Sequence, residues 1–112
     1  MKFESISDYE SVIGKEIEIT GKLSTIIWQH MIVLQPKYPE ISYFSLLDEQ
    51  REEYHQLVVY SKEKIPENRI CTLRGRMIKI EGETKHPSKK RRKYYYEYQF
   101  IAEEVIAGSS LR

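Results

Sequence analysis

Two stretches of this chain repeat one pattern: "KEIEITGKL" at residues 15–23 and "RICTLRGRM" at residues 69–77 each alternate apolar and polar side chains around a glycine. A period of two sets Ile17, Ile19, Gly21 and Leu23 on one face of a strand, with Glu16, Glu18, Thr20 and Lys22 on the other. In the second stretch Cys71, Leu73, Gly75 and Met77 alternate with Thr72, Arg74 and Arg76. A glycine inside a strand weakens it unless the backbone bends there or another segment comes close. The two patterns therefore predict neighbouring strands of a small, strongly coiled barrel, with Gly21 and Gly75 at the bends.

Three more alternations complete the set. "YFSLLD" offers Phe44 and Leu46 to one side, and "YHQLVVY" offers Leu57 and Val59 to the core while Val58 and Tyr60 face away; the polar "EQREE" joins them. In "YYYEYQFIAEEVI", Tyr96, Tyr98, Phe100 and Ala102 share a face opposite Glu97, Gln99 and Glu103. Ahead of the strands, "SISDYESVIG" predicts a short helix, capped by Ser7 in a capping box with Glu10 and left through Gly14. "STIIWQHMIVLQPKYPE" fits either a long strand and a loop or a hairpin turning near Gln29 and His30, and Pro36 and Pro39 exclude a regular central strand across residues 36–39. The terminal "GSSLR" is predicted to fray. A chain of 112 residues is one domain by size. The expected fold is all-β: a single domain over residues 1–112, with a five-stranded barrel over roughly 14–106 and a short N-terminal helix.

The charge is uneven. A formal net charge of +1 conceals Lys85, Lys89, Lys90, Arg91, Arg92 and Lys93, six of the eighteen basic residues, with no acid among them. The other twelve stand against seventeen acidic residues, which leaves −5. Attraction to a polyanion must therefore come from a local field near residue 90. The single cysteine, Cys71, excludes an intramolecular disulfide and a thiolate zinc cluster, and suits a reducing compartment. No signal-peptide pattern opens the chain, and apolar runs such as "MIVL" are far too short to span a bilayer. The expectation is an intracellular protein, cytoplasmic or, in a eukaryote, nuclear, without a membrane partner.

A capped helix followed by five short strands, with glycines midway along the first and fourth, resembles the oligonucleotide/oligosaccharide-binding fold, the OB-fold. The resemblance is carried by "IGKEIEITGKL", "YFSLLDEQ" and "ICTLRGRMIKIEG", and covers residues 7–106. The first strand is similar to those of replication protein A-like single-strand binders and of the anticodon-binding domains of class II aminoacyl-tRNA synthetases. "SKEKIPEN" departs from many OB domains, because it leaves only a short connection where they place a helix between strands three and four.

The resemblance implies a ligand lying across strands two and three, held by the loop between strands one and two and by the loop between strands four and five. The latter loop is "ETKHPSKKRRK". Its cations Lys85, Lys89, Lys90, Arg91, Arg92 and Lys93 suit phosphates, and Tyr94 and Tyr95 at its exit suit unpaired bases. The bland reading of the run is a solvated loop or a nuclear address. Trp28 lies next to the first loop and Tyr38 within it, and Tyr43 and Tyr60 point outwards on strands two and three. Arg74 and Arg76 extend the basic surface on strand four, unless they pair with Glu16 and Glu18 on the adjoining strand. Tyr96, Tyr98 and Phe100 are expected in the core.

His30, His55 and His86 are isolated, and no metal-ligand spacing, nucleophile elbow, P-loop or dinucleotide fingerprint occurs. Neither catalytic residues nor a metal or cofactor are expected. The expected function is non-catalytic binding of single-stranded DNA or RNA. The rival is an OB subunit that binds another protein within a replication, repair or telomere-type complex, a role to which an exposed "MIVL" segment would be suited.

Overall fold

A computed structural model describes residues 6–26, 35–83 and 94–110 of the chain. One helix, α1 (Ile6–Val12), precedes strands β1 (Glu16–Leu23), β2 (Glu40–Leu47), β3 (Glu53–Ser61), β4 (Arg69–Glu83) and β5 (Tyr94–Ser110). The strands form one mixed sheet that closes in a ring, in the order β1-β2-β3-β5-β4 and back to β1. Every junction is antiparallel except that of β3 with β5, where Val58–Ser61 run alongside Gln99–Ala102. The residues that join β3 to β4 contain no helix, and Ile65 within them is buried in the core.

Alternation decides what lies inside. Ile19, Phe44, Leu46, Leu57, Val59, Cys71, Leu73, Met77, Phe100 and Ala102 fill the ring, with Ile17, Leu23 and Val105 packed against them. β5 is long enough to need a correction of its own. Between the pairs Gly75–Ala102 and Arg74–Glu104 the register shifts, so that Glu103 is an extra residue. Without that bulge the period of two would turn Glu104 inwards; with it, Val105 follows Ala102 on the inward side and packs against the core, half-buried.

β1 and β4 are neighbours, with Ile17 opposite Gly75 and Gly21 opposite Cys71. Their glycines are required by close approach. A Cβ on Gly21 would stand 2.0 Å from the Ser45 carbonyl oxygen, and one on Gly75 would stand 1.8 Å from that of Ile101.

α1 has seven residues, too few to hold a helix without packing. It closes one end of the ring through Tyr9 and Val12, both buried in the core, and the Tyr9 ring stacks on Tyr98 at 4.9 Å between centroids. Gly14 leaves the helix at φ +80°. The capping box is corrected: Ser7 lies inside the helix, and the Glu10 carboxylate turns instead to β4 and β5, accepting from Lys79 Nζ at 2.8 Å and from the Tyr98 hydroxyl at 2.5 Å. Of the end expected to fray, residues 108–110 are corrected too, since β5 stays paired with β4 as far as Ser110, opposite Arg69, while residues 111–112 lie outside the described residues.

Candidate nucleic-acid interface

The residues expected to touch nucleic acid fall into three groups. Trp28 and the cations Lys85, Lys89, Lys90, Arg91, Arg92 and Lys93 lie outside the described residues, as do the side chains of Tyr94 and Tyr95. The backbone on either side of the basic segment is described. Glu83 pairs with Tyr94, so residues 84–93 join the two ends of one antiparallel ladder.

The second group lies on the outward side of β2 and β3. Tyr43 stands opposite Val58, and Tyr60 opposite Ile41. Tyr60 faces away from the ring interior, as its parity demands, but it is fully buried and presents no face to a base. Together with Val58 and Ile101 it forms a second apolar cluster on the outside of the sheet, edged by Tyr38, Tyr43 and Ile78. Its hydroxyl donates to Gln99 Oε1 at 2.6 Å, and Gln99 in turn donates to the Glu97 carboxylate. The outward side of β5 thus answers the tyrosine with an amide, and Tyr60 belongs to the support of this face. Tyr43 and Tyr38 remain half-buried at its margin, and the Lys62 ammonium sits 5.7 Å from the Tyr38 ring centroid. Lys62 beside an aromatic is a cation that alternation alone did not single out, because it lies past the end of β3.

The third group is the pair of arginines on β4. Arg74 donates to Glu18 at 2.8 Å and to Glu104 at 3.2 Å, bridging β1, β4 and β5. Arg76 pairs with Glu103 at 3.6 Å. Arg74 sits among β1, β4 and β5, whereas Arg76 stands opposite Ile101, a member of the Tyr60 cluster that Tyr38 and Tyr43 edge. Their carboxylate partners leave this part of β4 without a net basic character.

Tyr96 is a further correction. It shares the inward parity of Phe100, but the β4–β5 ladder runs on past the ring, and Tyr96 is 40% exposed. Burial fades along that ladder, from Met77 and Phe100 in the core, through half-buried Lys79 and Tyr98, to Tyr96 opposite exposed Glu81. Lys79 holds the junction, pairing with Glu10 and Glu81 and lying 4.8 Å from the Tyr96 ring centroid.

Among the described residues no group of three or more His, Cys, Asp and Glu side chains is placed to hold a metal ion, and no helix is long and apolar enough to cross a membrane. Burial raises the Cys71 thiol pKa, and with it the cost of forming a thiolate. Desolvation lowers the His55 pKa, beside Tyr9 at 5.3 Å between ring centroids. Comparison of the chain with protein-family models, with curated proteins and with solved structures gives no match.

Proposed function

We propose that this chain is an OB-fold protein that binds single-stranded DNA or RNA without cleaving it. The observation that carries the reading is the place of the basic segment: six cations within residues 85–93 connect the paired ends of β4 and β5 on a closed five-stranded sheet. Phosphate contact by such a connection releases counterions and tracks the backbone, and aromatic side chains at the margin accept bases of any identity. Tyr38 with Lys62, and Tyr43 on β2, supply that mixture on the outward side of β2 and β3. Tyr60, being covered, contributes packing beneath them.

A titration of labelled single-stranded DNA, single-stranded RNA and duplex at two salt concentrations tests the proposal. Saturable binding of a single strand, weaker at the higher salt, is the expected result. No binding of any nucleic acid at low salt would sink it. The second reading, an OB subunit that binds a protein, draws on Ile26 and Ile41, which are 56% and 45% exposed on either side of the β1–β2 connection. Exposed apolar side chains of this size suit a protein partner better than a phosphate backbone.

A further inference from the structure

We propose that the outer edge of β5, from Glu103 to Gly108, pairs antiparallel with the same edge of a second copy of this chain, centred on Ile106. From Gln99 to Ala102, β5 has a neighbour on each side: β3 on one and β4 on the other. Beyond Ala102 only the β4 ladder continues, and no other backbone hydrogen bond reaches this stretch among the described residues. Burial agrees that this is a rim. Leu73 and Cys71 are fully buried, yet their partners Val105 and Ala107 are half-buried and exposed. On the other side of the strand Ile106 is 42% exposed.

An open edge presents a row of unpaired N–H and C=O groups, and proteins usually block such a row with charge, proline or a bulge. The first part of this edge is blocked in that way, by the bulge at Glu103 and by two carboxylates. The rest, Val105-Ile106-Ala107-Gly108, carries neither charge nor proline, and the second register shift of β5 falls past Ala107, between the pairs Cys71–Ala107 and Arg69–Ser110.

The sequence of the edge is also complementary to itself. Antiparallel pairing about Ile106 sets Ile106 against its copy, Val105 against Ala107, and Glu104 against Gly108. No carboxylate then faces a carboxylate, and Glu104 already pairs with Arg74 at 3.2 Å. Shifting the register so that Glu104 meets Glu104 would oppose like charges, which antiparallel pairs disfavour. Charge thus favours the register about Ile106 over the one about Glu104, and a two-fold axis closes the pair at a dimer.

Sedimentation across a concentration series, from micromolar to millimolar, measures the association. The mass should rise with concentration from one 13.4 kDa chain towards twice that value. Ile106→Lys, which sets two ammonium groups across the axis, should weaken association by at least about tenfold while leaving the melting temperature unchanged. Register is read separately, by mild oxidation with oxidised glutathione of two single-cysteine additions, Cys71 being buried. Opposed residues of an antiparallel pair lie about 4.5–5.5 Å apart at Cα, within disulfide reach, so Ile106→Cys should cross-link. Glu104→Cys should not, because the two copies of residue 104 stand about 13 Å apart along the strands. A parent chain that keeps the mass of one copy at every concentration would overturn the proposal. So would association that survives Ile106→Lys, or cross-linking of Glu104→Cys as fast as Ile106→Cys.

Discussion

Gly75 and Gly21 act through what they lack. The closest atom to a Cβ at either position is a main-chain carbonyl oxygen of a neighbouring strand, which cannot swing aside as a side-chain end can. Gly75→Ala should therefore cost more than the roughly 1–3 kcal/mol typical of overpacking, measured by urea unfolding. A loss under about 1 kcal/mol would mean that β4 and β5 separate there without difficulty. Two buried hydroxyls on the outward side of the sheet differ in the opposite sense. Tyr60 donates to Gln99, so Tyr60→Phe leaves a buried amide oxygen short of a donor and should lose about 1–3 kcal/mol. Ser45 is fully buried and its hydroxyl has no partner among the described residues, so Ser45→Ala should leave stability unchanged or raise it by up to about 1 kcal/mol. A marked loss in Ser45→Ala would count against that assignment of its hydroxyl.

At the scale of the element, α1 is held by aromatic stacking and by one carboxylate. Lys79, and after it Tyr98, hydrogen-bond Glu10 and hold its pKa below the ordinary glutamate value. A depressed folded-state pKa means that the contribution of Glu10 is complete above the unfolded value, about 4.3, and is lost as pH falls through the folded value. The melting temperature of the parent should thus fall in acid more steeply than that of Glu10→Gln, and the gap between the two should narrow below about pH 4. Parallel curves for the two proteins would show that Glu10 does not secure the helix. Tyr98 titrates in the reverse sense: burial first, and then the bond to Glu10, raise its pKa to about 12. Its contribution is present below the unfolded value of about 10 and is lost as pH rises towards 12. Both ends of this pH profile report the same junction, where the β4–β5 ladder leaves the ring.

For the whole molecule, the charge asymmetry makes the clearest prediction. With −5 on the remainder of the chain, little attraction for a polyanion is left once the basic segment is neutralised. If about four of its cations engage phosphates, a single-strand slope near −0.7 per contact gives about a fifty-fold loss of affinity between 50 and 200 mM salt. Replacing Lys89, Lys90, Arg91, Arg92 and Lys93 by serine should flatten that slope and leave the melting temperature nearly unchanged. An unaltered affinity and slope in this variant would move the preference to the protein-binding reading.

The sequence alone determined the faces of the strands, because a period of two admits only one partition of inward and outward side chains over a short run. That partition sends Ile19, Phe44, Leu57, Leu73, Met77 and Phe100 to the core, and they are there. It also determined that Gly21 and Gly75 mark a special backbone, although only the tertiary structure identified the Ser45 and Ile101 carbonyls that crowd them. Burial on the outward face was a different matter. Parity sends Tyr60 and Tyr96 to opposite sides of the sheet, and alternation then predicts Tyr60 exposed and Tyr96 buried. The structure reverses both, since β5 brings Ile101 and Gln99 beside Tyr60, while the β4–β5 ladder carries Tyr96 beyond the ring. Alternation is a local property and says which way a side chain points. What meets it there depends on which strands become neighbours and how far each runs past the others, and those pairings join residues dozens of positions apart in the chain.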